Sequence, residues 1–245
     1  MSTLLAAPAR ITAEPDGRGG TALPLLAGAG PIALRRTRGE GGAAHVVVIG
    51  SMAAPLGGDR LAVRAEVLPG AALLVTSAAA TISLPGPGPA YYEVDLTVGE
   101  GARLDWLPEP VVAAAGSHLV LHTRITLAPG ARLRYREEQV LGRRHDWARL
   151  RDPGRLTSRL TVRRAGRLLL DQQTDLGPGA PGWDGPAVLG GNRAAGQLLT
   201  VGTGPQPAAP PTAGTALLAL PGGGATLLAA VAPDALALRR ALDAG

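Results

Sequence analysis

Residues 127–144 read LAPGARLRYREEQVLGRR. A Gly-Ala turn leads into a strand-like run in which two carboxylates, Glu137 and Glu138, stand among arginines. Side chains alternate between the two faces of a strand. Arg132, Arg134, Arg136, Glu138 and Val140 therefore share one face, and Leu133, Tyr135, Glu137, Gln139 and Leu141 share the other. The first face is expected to be solvated. The second is apolar, and Glu137 sits in its middle. A carboxylate taken out of water needs an arginine, backbone donors, water or a metal ion.

The same turn recurs along the chain. It appears as AEVLPGAALLVT around Gly70, DLTVGEGARLDWL around Gly101 and RITLAPGARLRYR around Gly130, with a weaker copy, LTVRRAGRLLLD, around Gly166. The glycines stand roughly 30 residues apart, a spacing that points to structural repeats. Each copy reads as two strands and a tight connection, with Gly supplying the positive φ that such turns need. The predicted fold is mostly β: a single large domain, residues 1–245, of many short strands in stacked sheets built from successive hairpins, with few helices. Residues 1–20 are expected to be poorly ordered, and 203–214 to form a flexible Pro/Gly-rich loop. Residues 233–242 are expected to form a terminal helix. Pro233 and Asp234 open it, Leu238 and Leu242 mark its apolar side, and Arg239 and Asp243 are spaced to pair on a wetter side.

Composition narrows the function. The chain has no Phe, three Trp and three Tyr, so Leu, Val and Ala must fill the core. All 24 basic residues are arginine. Twelve of them lie between Arg132 and Arg167 against four acids, a local balance of +8. Such a surface suits phosphate, nucleic acid or the carboxylates of an acidic protein. With no cysteine there are no disulfides, thiolate metal sites or thiol nucleophiles. The first residues lack the pattern of a signal peptide, and no apolar run is long enough to span a bilayer, so a cytoplasmic protein is expected.

Catalytic motifs are missing. Without lysine there is no ordinary phosphate-binding P-loop, and none of the six serines lies in G-x-S-x-G. His118 and His122 form the only close histidine pair; on a strand they stand roughly 13 Å apart, too far for one ion. The stretch GGDRLAVRAEV, 57–67, places Asp59 on the same side as Leu61, Val63, Ala65 and Val67, so Asp59 joins Glu137 as an inward acid. Turn amides after Gly57-Gly58 offer Asp59 a bland alternative. Glu93 and Asp95 alternate with apolar residues and mark the wet side of an amphipathic strand.

Three segments together resemble the urease accessory protein family UreD, also called UreH: the GGD-x-L strand at 57–61, GA-x-L-x-WLP-x-P at 101–110, and E-x-x-x-LGR at 137–143. They occur in the family's order, and the likeness runs from about Gly57 to Asp175. The resemblance implies a β-rich, non-enzymatic maturation factor that works with UreF and the GTPase UreG on urease apoprotein, and helps deliver nickel. No tightly bound cofactor is implied, only transient Ni²⁺. The motif positions carry over to Asp59 and Glu137 as a transient metal route, with Gly57, Gly58, Trp106, Gly142 and Arg143 as motif or partner residues. Carboxylate and water ligands hold Ni²⁺ less firmly than imidazole or thiolate, so an ion can leave. The arginine-bearing face is then a candidate docking surface for an acidic partner. No membrane partner is expected. The alternative is a β-rich protein that binds nucleic acid through Arg132–Arg167.

Overall fold

A computed structural model of the protein describes residues 7–150, 152–202 and 213–244. The chain first forms β1 (Ala9–Pro15), β2 (Thr21–Ala27), β3 (Ile32–Thr37) and β4 (Ala44–Gly50). Two three-strand passes follow: β5 (Arg60–Val67), β6 (Ala72–Ser77) and β7 (Thr81–Ser83), then β8 (Ala90–Val98), β9 (Arg103–Trp106) and β10 (Val111–Ala113). β11 (His118–Leu127) and β12 (Arg132–Leu141) begin another pass, and a single π-helical turn at Asp146–Leu150 returns the chain to β13 (Arg155–Arg164). β14 (Arg167–Leu176), β15 (Ala194–Val201), β16 (Thr215–Ala219), β17 (Ala225–Ala232) and α1 (Ala235–Asp243) close the fold.

Among the described residues the strands make a seven-stranded and a ten-stranded sheet. In the first, β1, β5, β8, β11 and β13 run parallel; in the second, β4, β6, β9 and β12 do the same, with the short β7 and β10 stacked beside β12. Each pass is thus one coil of a β-solenoid, and the repeat of roughly 30 residues is the length of a coil. Antiparallel strands finish both ends: β2 and β3 at one, β14, β15, β17 and β16 at the other.

The Gly-Ala turns are corners, which differs from the hairpins expected. Leu68–Ala71, Gly99–Ala102 and Ala128–Ala131 each close a turn by a hydrogen bond from the alanine amide to the first carbonyl. Gly70, Gly101 and Gly130 hold the third position with φ of 76°, 63° and 70°, as type II turns require. The strands on either side belong to different sheets, because coil-to-coil bonds take their edge groups. Arg103 N donates to Ala71 O at 2.9 Å, and Arg132 N to Ala102 O at 2.8 Å. Only the Gly166 turn makes a hairpin, joining β13 to β14. The alanine after each corner glycine is buried, so it starts the core of the next strand.

The N-terminal expectation also needs correction. β1 lies between β2 and β5, and Ala9, Ile11 and Ala13 are buried, so residues 9–15 are an integral strand. Residues 203–212 of the expected flexible loop lie outside the described residues. The terminal helix is present, with Asp234 Oδ1 accepting from Ala237 N at 2.8 Å and Leu238 and Leu242 buried.

Parallel register aligns equivalent inward residues into columns. One column runs Ile11, Ala65, Leu96, Ile125, Val162. Close to the Gly corners the two sheets meet through such aliphatic columns, and the core is dry. Farther along the strands the columns turn polar: Tyr92, Thr123 and Ser158 on one sheet, Glu137, Gln139 and Gln197 on the other.

Two glycine variants separate corner strain from close packing. At Gly101 an added Cβ meets nothing within 4 Å, so Gly101→Ala carries only the left-handed penalty, roughly 1–2 kcal/mol. At Gly57 a Cβ would lie 2.5 Å from Gly88 O and 2.7 Å from Gly86 Cα, both backbone atoms. Thermal melting should show a drop of a few degrees for Gly101→Ala and a far larger loss, or no folded protein, for Gly57→Ala.

Candidate functional site

β12 carries the two acids to opposite environments. Glu137 points between the sheets and is 4% exposed. Its partners are neutral. Tyr135 Oη donates to Oε2 at 2.7 Å, Ser158 Oγ donates to Oε1 at 2.5 Å, and Gln139 Nε2 also donates to Oε1. Thr123 Oγ1 lies 3.1 Å from the Tyr135 hydroxyl and extends the network into the first sheet. No ion pair neutralises Glu137 among the described residues, so its charge is held by hydroxyl and amide donors alone. Burial and the Glu137 charge push the Tyr135 phenol well above its usual range, and burial pushes Tyr92 up to about 12. Both phenols therefore stay protonated at neutral pH, and Tyr135 remains a donor.

Glu137 borders two cavities. One, about 530 Å³, opens between the sheets at the β14–β16 end and is lined by Gln139, Gln172, Thr174 and Gln197 beside apolar residues. The other, about 50 Å³, lies deeper, against Tyr92, Trp106, Thr123 and Tyr135, and reaches Glu109, Arg136 and Glu138. Glu137 is the one residue common to the two linings. An arrangement of oxygen and amide groups around one acid can shed or pass a hydrated cation but offers no imidazole or thiolate to retain it. No cluster of three or more His, Cys, Asp or Glu residues suited to a metal occurs among the described residues.

Glu138 was expected on a solvated face and is 3% exposed instead. Helix α1 covers that part of β12: Leu238 and Leu242 pack with Val140 and Leu107. Arg239, expected to pair with Asp243, reaches Glu138 Oε1 with Nε at 2.5 Å and Glu109 with its terminal nitrogens at 3.2 and 3.3 Å. Arg136 Nε lies 2.8 Å from the same Glu138 oxygen, and its Nη1 is 3.4 Å from Asp243. Burial raises the Glu138 carboxyl against the pull of Arg239 and Arg136, and lowers Arg136. Val140, an apolar residue on the supposedly wet face, was the sequence signal that something covers it.

Asp59 takes a different position from the one expected. It is half-buried, its Oδ2 accepts from Leu56 N at 2.8 Å, and it lines neither cavity that Glu137 borders. The bland alternative holds: Asp59 fixes the turn ahead of β5. Gly57 permits the backbone crossing with Gly86, and Gly58 has φ 97°. Trp106 is a core residue of β9, 4% exposed. At Gly142 φ is 72°, and a Cβ would meet Trp147 Nε1 at 2.9 Å. Arg143 grips Asp146 through its own backbone N–H and guanidinium, and that hydrogen bonding brings the carboxyl down to about 2. These motif residues shape the coil ends around β12.

The arginine stretch is not one surface. Arg155 and Arg159 pair with Asp175 and Asp171 on the first sheet, Arg143 with Asp146, and Arg136 enters the Glu138 cluster. Glu93 and Asp95 are engaged by Arg124 on the outer face, as the alternation predicted. His118 and His122 lie on strand β11, not on a helix.

Fold and site together define a β-solenoid whose polar interior carries a carboxylate held by neutral donors. The profile of the UreD urease accessory protein family matches residues 6–244. The chain is similar to urease accessory protein UreD 3 of Streptomyces griseus, 59% identical over 97% of this chain and 94% of that protein. It is 56% identical to UreD of Streptomyces avermitilis, over 97% of this chain and 94% of that one. With UreD 2 of Saccharopolyspora erythraea it shares 48% identity over 92% and 81% of the two chains. The chain belongs to the UreD family of urease accessory proteins, and such a protein is an accessory factor, not an enzyme.

Breaking the Glu138 cluster from either side should have unequal effects. Arg239→Ala leaves a buried carboxylate short of a partner and is expected to cost roughly 1–3 kcal/mol. Glu138→Gln removes a charge whose burial already outweighs its attractions, and should cost less. In Arg239→Ala the Glu138 carboxyl rises further above its unfolded value. A raised acid contributes stability at low pH that is lost as pH rises through the folded value, so the deficit should shrink between about pH 7 and about pH 5. Chemical denaturation at both pH values measures this.

Proposed function

We propose that this chain is a cytoplasmic scaffold of urease maturation that works in complex with UreF and the GTPase UreG, and that nickel destined for apo-urease passes Glu137. Nickel is cargo in this reading, not a resident cofactor. The place of Glu137 in the lining of both cavities carries the proposal: it is the one carboxylate the two share, with no imidazole or thiolate in either lining. A lone carboxylate with amide and hydroxyl neighbours lowers the energy of a hydrated cation inside the protein without trapping it. Two features support a scaffold role around that passage, the rigid parallel coils and the family membership. Asp59 enters only through the turn it closes. No helix among the described residues is long and apolar enough to cross a membrane.

Glu137→Gln tests the passage. It keeps the side-chain volume but turns one amide N–H₂ toward groups that are donors, with an expected cost of roughly 1–3 kcal/mol. Co-expressed with urease subunits, UreF and UreG, the variant should still be recovered in the complex, while urease purified from those cells contains less nickel by metal analysis. Full nickel loading would reject the route. Failure of the wild-type chain to recover UreF or urease subunits would reject the scaffold assignment itself.

A further inference from the structure

On the outer face of the second sheet, β9 and β12 place four charged residues in one square. Parallel register sets Arg132 opposite Arg103 and Arg134 opposite Asp105. Neighbouring strands lie roughly 4.8 Å apart and alternate residues of one strand roughly 6.6 Å apart. The four side chains line a groove of about 280 Å³. Arg103, Arg132 and Arg134 are exposed, and Asp105 is 6% exposed. Arg103 Nη2 donates to Asp105 Oδ2 at 2.5 Å, while Asp105 Oδ1 has no partner among the described residues. Arg132 and Arg134 form no ion pair among the described residues, unlike Arg136 in the next outward position. The square has three positive corners and one negative. Like charges set directly across two strands, as Arg103 and Arg132 are, oppose folding, and the one carboxylate of the square is hydrogen-bonded to Arg103.

We infer that this groove is a docking site for an extended acidic segment of a protein partner. Carboxylates at alternate positions of an extended peptide repeat at the spacing of Arg132 and Arg134, and guanidinium–carboxylate pairing is the strongest contact either side can make. A peptide also brings neutral backbone N–H donors for Asp105, whereas a phosphate sets its own negative charge against that carboxylate. Nucleic acid fits less well, because the aromatic neighbours Trp106 and Tyr135 alternate onto the buried face and leave no ring to stack a base. The groove lies on the face of β12 opposite Glu137, so this site stands independently of the nickel passage.

The test uses the full chain and a fluorescein-labelled peptide of alternating Glu and Gly, followed by fluorescence anisotropy at low salt. The Arg132→Glu/Arg134→Glu double variant should bind roughly ten-fold or more weakly, while Arg167→Glu, on β14 of the other sheet and outside the groove lining, stays within about two-fold of wild type. Circular dichroism confirms folding, and Arg132→Gln/Arg134→Gln replaces the reversal if it aggregates, with loss in the same direction. Absence of peptide binding by the wild-type chain overturns the proposal. So does equal weakening by Arg167→Glu, or equally effective displacement by inorganic phosphate or a twelve-residue oligothymidine at matched charge.

Discussion

Parallel, in-register stacking of coils dictates the rest of this structure. When β5, β8, β11 and β13 lie side by side with equivalent residues aligned, every inward position becomes part of a column running through the molecule. A column of Leu, Ile, Val and Ala is an aliphatic wall; the column that aligns Tyr92, Leu121 and Ser158, and Thr123 in the next, add polar groups to that wall. Small aliphatic residues pack such columns without voids, which explains how a chain with no Phe still builds a continuous core. The corner turns serve the same constraint, since glycine takes the positive φ of the corner at the least cost and leaves the coil-to-coil hydrogen bonds intact.

β12 shows what this geometry does with charge. Glu137 and Glu138 are adjacent in sequence and opposite in solvation chemistry. Glu137 faces the interior and accepts hydrogen bonds from three neutral donors. Glu138 faces outward and is closed off by two arginines under α1. Glu138 thereby fastens α1 to β12. Placing both on one strand couples the interior of the solenoid to the helix that finishes it.

The arginines follow the same division. Arg155 and Arg159 on β13 pair with carboxylates of β14, and the pairs lie along the exposed side of the first sheet where solvent screens them. Arg136 is drawn inward by Glu138. Arg132 and Arg134, two residues earlier on the same face of the same strand, escape the helix and stay without ion-pair partners among the described residues. A strongly basic stretch in sequence is therefore several surfaces in space, and among the described residues Arg136, Arg143, Arg155 and Arg159 are its arginines in ion pairs.

Much of this was legible beforehand. Alternation through LRYREEQVL assigned Glu137 to the interior, the Gly-Ala spacing gave the coil length, and Pro233-Asp234 with Leu238 and Leu242 located α1. Those features are local, because the period of a strand and the chemistry of a turn act over a few residues. What escaped the sequence was non-local. Whether a Gly turn makes a hairpin or a corner depends on which strand takes the free edge, and only the neighbouring coils settle that. Whether Glu138 is wet depends on a helix a hundred residues later, and the donors to Glu137 include Ser158 from another sheet. The sequence by itself determined the faces of the strands and the family likeness; the tertiary structure decided which faces are covered, because coverage is a property of the partner surface and not of the strand.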